Sequence, residues 1–185
     1  MIINQNKTNT LNLILYNYKQ KYQIIEMLAF SIIAFALPFM LAHPQWLVGT
    51  IVNFMLFRAA IHMKGYQLLP IILLPSIGVF SAGLIFGSLT NYLLIFIPFI
   101  WLANTTYILS YKYFGLKKKL NFYPALIISV LAKSALLFSV ALILVYLFNF
   151  PIVFLTVMGL IQVITATLGG LLAFYSVKAQ NLFKN

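Results

Sequence analysis

The chain has 185 residues, 63% hydrophobic and 7% charged, with a mean hydropathy of +1.02. A soluble domain of this size leaves too much of its area in water to hide that much apolar surface, so its solvent is a bilayer. Its 12 Lys and Arg face a single acid, Glu26; in a soluble protein that excess would suit nucleic acid, but here it falls between apolar runs and reads as topology, with no nucleic-acid partner.

The first 23 residues read as a cytoplasmic or interfacial segment, since their tyrosines and lysines suit the headgroup zone. "LNLILYNY" is too short for a signal peptide, and no small-residue cleavage site follows it. A helix needs about 20 mostly apolar residues to cross a bilayer core. Six stretches meet that length: 24–42, 46–63, 68–87, 92–111, 122–148 and 151–177. They predict an all-α integral membrane fold, a compact bundle of six transmembrane helices in one domain (24–177) with a cytoplasmic tail (178–185). The breaks "HPQ", "GYQ", "SLTN" and "NFP" carry turn formers and almost no length, so no soluble domain is inserted.

The lysines set an orientation. Lys7, Lys19 and Lys21 precede the first span, Lys64 follows the second, and Lys112, Lys117, Lys118 and Lys119 lie between the fourth and fifth. Lys178 and Lys184 follow the sixth, which puts ten basic residues on one side and none in the three opposite loops. The positive-inside rule makes the lysine side cytoplasmic, with both termini inside.

Arg58 and Lys133 remain within spans. Lys133 lies 11 residues into the fifth, about 16 Å along a helix rising 1.5 Å per residue. A lysine near the midplane costs about 2.5–3.5 kcal/mol on insertion scales, so it should face the interior and find a partner. Backbone carbonyls are one possibility; an anionic or carbonyl-rich ligand is the sharper one. Arg58 can snorkel or pair with Glu26, which would use up the only acidic side chain. His43 and His62 have no metal-binding companion and read as interfacial.

Three stripes add uncharged polar groups. Gln45, Gly49 and Asn53 recur at i, i+4 and i+8 in the second span. Trp101, Asn104 and Thr105 mark a face of the fourth, and Gln162, Thr165, Ala166, Gly169 and Ala173 one of the sixth. Small and amide residues at such spacing often serve only helix packing. Three stripes together with a midplane lysine favour one interior cavity, because a buried amide costs free energy unless it finds a hydrogen bond. The candidate binding residues are Gln45, Asn53, Trp101, Asn104, Lys133 and Gln162. The ligand they suit is small and organic, with a carboxylate, phosphate or electron-rich carbonyl on Lys133; a bare divalent cation would want carboxylates or clustered imidazoles. In the third span, Gly83 and Gly87 stand at the GxxxG spacing and Gly78 and Ala82 one turn apart, a pattern that marks close helix contact.

Hydrolases and phosphotransferases need a nucleophile–base pair, a metal-carboxylate cluster or a phosphate-binding loop, and the sequence offers none. It therefore reads as no enzyme, with no metal and no cofactor. An ion-coupled carrier would need a buried carboxylate, and Glu26 is poorly placed for one.

The stretch "HPQWLVGTIVNF", with "LLPSIGVFSAGLIFG", "IPFIWLAN" and "MGLIQVITATLGG", resembles the substrate-binding S components of energy-coupling factor (ECF) transporters. The likeness covers all six spans. It implies a small membrane subunit of a prokaryotic cell membrane that captures a vitamin or similar micronutrient from outside. It also implies partners, a transmembrane T component and two cytoplasmic ATPases, that supply the energy. Many S components dock through Ala-x-x-x-Ala on the first helix, where this chain has Ala29, Ser31, Ala34 and Ala36 instead. The alternative reading is a non-transport subunit or assembly factor of a larger membrane complex, with Lys133 and the amides holding a partner helix.

Overall fold

A computed structural model describes residues 9–15, 19–41 and 43–182. Lys7 and Lys184, both counted in the lysine asymmetry, lie outside these residues, as does most of the proposed interfacial segment. Among the described residues the chain is entirely helical. The helices are α1 (Gln20–Met40), α2 (Gln45–His62), α3 (Leu69–Ala82), α4 (Thr90–Tyr111), α5 (Phe122–Phe148), α6 (Val153–Met158) and α7 (Leu160–Leu182).

Their ends follow local chemistry. α1 carries Pro38 in its last turn, and α2 starts directly after Pro44. Pro70 opens α3, where the missing N–H is not needed. Asn149 closes α5 in the left-handed conformation, with Pro151 two residues on to block continuation. The predicted sixth span is divided: α6 stops at Gly159, and α7 restarts at Leu160 and runs to Leu182.

The third span also differs from expectation. α3 ends at Ala82, and Gly83 and Gly87 both take positive φ (66° and 52°) in the connection to α4. A Cβ at either would meet nothing within 4 Å, so these glycines make a turn and not a helix contact. Gly78 is the contact residue, pressed against the backbone of Phe35 on α1.

Five helical stretches are long and apolar enough to cross a membrane: α1, α3 with its leading turn, α4 with its flanking turns, α5, and α6 with α7. That number marks a multi-pass membrane protein. α2 is the exception, because Gln45, Asn53, Arg58 and His62 lower its hydropathy. It is instead the most enclosed helix, with Val48, Thr50, Asn53 and every residue from Met55 to His62 buried. It packs chiefly on α7, while α1 packs on α3 and α4 on α5. Gly169 permits the α2–α7 approach: a Cβ there would stand 2.6 Å from the Phe54 nitrogen and 2.7 Å from the Asn53 Cβ. Ala166 and Ala173, one turn to either side, are fully buried. Most of the small-residue stripe of α7 is thus a packing surface.

Two polar knots close the lysine-rich end. Glu26 Oε1 accepts from Arg58 Nη2 at 2.8 Å and Nε at 3.0 Å, the pairing the sequence pointed to. His62, expected at the interface, is buried instead, with Nδ1 at 3.1 Å from Glu26 Oε2. Arg58 also donates to Ser176 Oγ and Gln180 Oε1 of α7, both at 3.2 Å. Lys112 departs from its expected place in the exposed lysine loop. It is fully buried in a widened π-helical turn, Lys112–Lys117, and its Nζ donates to the carbonyls of Leu13 and of Met63 (2.8 Å). With Leu15 N donating to Ile61 O at 2.9 Å, it straps residues 13–15 across the ends of α2 and α4.

Candidate functional site: a lysine-floored cavity

The lysine-poor half of the bundle holds a cavity between α2, α3, α4, α5, α6 and α7. The space open to the centre of a water-sized molecule is ≈ 100 Å³. One water needs about 10–15 Å³ on that measure, so there is room for roughly seven to ten such positions. Ile85 and Phe86 on the α3–α4 connection cover it from one side, and Val157 and Met158 of α6 from another. Phe86 is fixed there by stacking on Phe154 (centroids 5.8 Å apart, planes at 15°).

The structure brings five of the six sequence-selected residues to this wall: Gln45, Asn53, Asn104, Lys133 and Gln162. Trp101 is not among the lining residues. Its indole N–H donates to Ser76 Oγ at 2.8 Å and Leu73 O at 3.2 Å on α3, so it holds the lining residue Ser76 from behind.

Lys133 sits at the cavity floor with 2% of its surface exposed. Its Nζ donates to Asn53 Oδ1 at 2.5 Å and Asn104 Oδ1 at 3.0 Å, and the Tyr107 ring centroid lies 5.2 Å away. These acceptors are amides, not the backbone carbonyls considered from the sequence. The two asparagines are in turn held by their amide nitrogens: Asn53 Nδ2 donates to Gly49 O (2.9 Å) and Thr165 Oγ1 (3.1 Å), and Asn104 Nδ2 to Ile72 O (3.2 Å). Each asparagine therefore turns its oxygen toward the ammonium, and both orient Lys133 first and the cavity second. Among the described residues the side-chain amides of Gln45 and Gln162 make no hydrogen bond within the protein.

Sequence reading missed the contributions of Ser76, Ile85, Phe86 and Tyr107. Tyr107 was within reach of it, because it stands three residues after Asn104 and so on the same helix face. Its hydroxyl donates to Ala166 O at 2.6 Å, which fixes the ring beneath the ammonium and ties α4 to α7. Ile85 and Phe86 carried no such signal, since they belong to a turn that the hydrophobic run conceals.

Among the described residues no group of three His, Cys, Asp or Glu is placed to hold a metal ion, and no acid lines the cavity. The site can therefore offer one buried positive charge, free amides and an apolar wall; it has no acid–base pair facing the cavity. Comparison with known proteins finds no family model that matches the chain, no similar curated protein and no similar solved structure.

Proposed function

We propose that the chain is the substrate-capture subunit of an ECF-type transporter, binding a small organic micronutrient from outside the cell. In this reading α2 is a sixth span, and the lysine-rich end and both termini are cytoplasmic in a prokaryotic cell membrane. A transmembrane T component and two ATPases drive the uptake.

The observation that carries the proposal is the cavity itself, set in the half of the bundle away from the lysine loop and floored by Lys133 at mid-helix. A residue as costly in a bilayer as Lys133 marks a functional site by default. α2 supports a sixth crossing: its 18 residues rise about 27 Å at 1.5 Å each, close to the ~30 Å hydrocarbon core. Its polar side chains are shielded by α1, α4 and α7. The lack of an acid in the cavity argues for capture without ion coupling, because Glu26 is engaged by Arg58 and His62 at the far end.

Thermal unfolding of the purified protein against a panel of vitamins and their precursors tests this, since a ligand of the native state raises the transition temperature. The expected result is stabilisation by a small subset of the panel, with no uphill uptake into liposomes that contain this chain alone. Accumulation driven by an ion gradient in such liposomes would overturn the capture reading.

A further inference from the structure

The donors left facing the cavity, together with its charge, narrow the ligand further. This step rests on the capture reading. An ammonium has three N–H groups, and Lys133 uses two of them on Asn53 and Asn104. The Tyr107 ring centroid lies 5.2 Å from its Nζ, within the range of a cation–π contact. Asn53 has no hydrogen left, because both are engaged by Gly49 and Thr165. The hydroxyls at the wall are also turned away: Thr165 donates to Ile161 O at 2.8 Å and Ser76 to Leu73 O at 3.0 Å. What remains is one N–H of Lys133, one of Asn104, and the amides of Gln45 and Gln162.

The charge is equally limited. Lys133 is the one ionisable side chain lining the cavity among the described residues. In a low-dielectric site an unbalanced charge costs several kcal/mol, so the ligand should bring one negative charge. A phosphate monoester brings about −1.5 to −2, more negative charge than the single cation at Lys133 balances. A carboxylate brings −1 and can place one oxygen on Lys133 and the other near Asn104. Beyond the floor the wall is mostly apolar, with Val52, Leu93, Ile100 and Ile161 available to an apolar body.

We infer that the cavity takes a small monocarboxylate. The carboxylate sits on the remaining N–H of Lys133, the apolar body follows the wall, and any neutral polar group meets Gln45 or Gln162.

Matched probe pairs that differ only in the head group test this: benzoate and benzamide, nicotinate and nicotinamide, hexanoate and hexanamide, with phenyl phosphate as a dianion. Thermal unfolding of the purified full chain, titrated with each, gives apparent dissociation constants. Each carboxylate should bind at least about tenfold more tightly than its amide, as a charge-assisted hydrogen bond requires, and phenyl phosphate more weakly than benzoate. Lys133→Met should abolish the difference within each pair. Amides that protect as well as carboxylates, phenyl phosphate that outperforms benzoate, or carboxylates that give no shift would each overturn the monocarboxylate assignment. If Lys133→Met does not fold, the comparison within wild-type pairs decides alone. Capture is judged separately: protection by amides without carboxylates removes the ligand class and leaves capture standing, whereas ion-driven uphill uptake removes capture itself.

Discussion

Asn53 and Asn104 each present one oxygen to a single ammonium, and that arrangement sets which substitution hurts most. Asn53→Leu leaves a buried charge short of an acceptor, so it should cost about 1–3 kcal/mol or more. Lys133→Met removes the charge with its desolvation cost and should cost less. The double variant should recover part of the Asn53→Leu loss, a coupling that a double-mutant cycle of unfolding free energies in detergent measures directly. Additive losses would mean that the two side chains do not interact as described. At the opposite end, Glu26→Gln should destabilise by about 1–3 kcal/mol, because Arg58 loses its charged partner. The same cycle run with Arg58→Met should show that loss shrinking.

Much of this residue-scale pattern was legible. The i, i+4, i+8 line of Gln45, Gly49 and Asn53 in one helix, and the mid-span position of Lys133, need only helical periodicity to be seen. The roles were less legible than the positions. Nothing in the sequence says that the asparagines face a lysine 80 residues away in one case and 29 in the other, because such contacts depend on how the helices pack. Lys112 shows the same limit from the other side. By composition it belongs to "YKYFGLKKKLN", and only the π-helical turn draws it inward while Lys118 and Lys119 stay exposed.

Helices carry the next level of the argument, and α7 is the clearest case. Its small residues read as either packing or cavity, and both hold on one face: Gln162 and Thr165 line the cavity, and one turn further Gly169 lies against the α2 backbone. The α6–α7 break at Gly159 comes just before this face, and no polar residue announces it. Gly169→Leu should force α2 and α7 apart, costing about 1–3 kcal/mol as overpacked contacts do, and should disturb the floor because Asn53 moves with α2. Unfolding of that variant against Gly83→Ala, at a glycine with open space around it, separates close approach from turn strain. For the strap at the lysine-rich end, Lys112→Met should free residues 13–15 and speed their cleavage in limited proteolysis, with the bundle left intact. Unchanged cleavage would mean that Leu13 and the Leu15 hydrogen bond hold the segment without the lysine.

At the scale of the whole molecule, hydropathy pointed to five helices long and apolar enough to cross a membrane, because a bilayer allows few ways to satisfy a backbone. It failed where interior polarity and length compete. α2, read from the sequence as a span over 46–63, is more polar than the other five, and most of its polar residues are buried in the bundle. Single cysteines at Pro44, Thr90 and Asn149 should label from outside in intact cells, and one at Lys118 should not. External labelling at Lys118 would reverse the orientation. The central claim is that the cavity above Lys133 holds a small solute, and native mass spectrometry of the detergent-released protein tests it most directly. Wild type should carry one small molecule per chain, retained from the membrane or acquired from a vitamin and precursor mixture. Ile161→Trp, which fills the cavity from its wall, should carry none while keeping the wild-type helical circular dichroism. An adduct retained equally by the folded Ile161→Trp variant, or no adduct on wild type from either source, would contradict it.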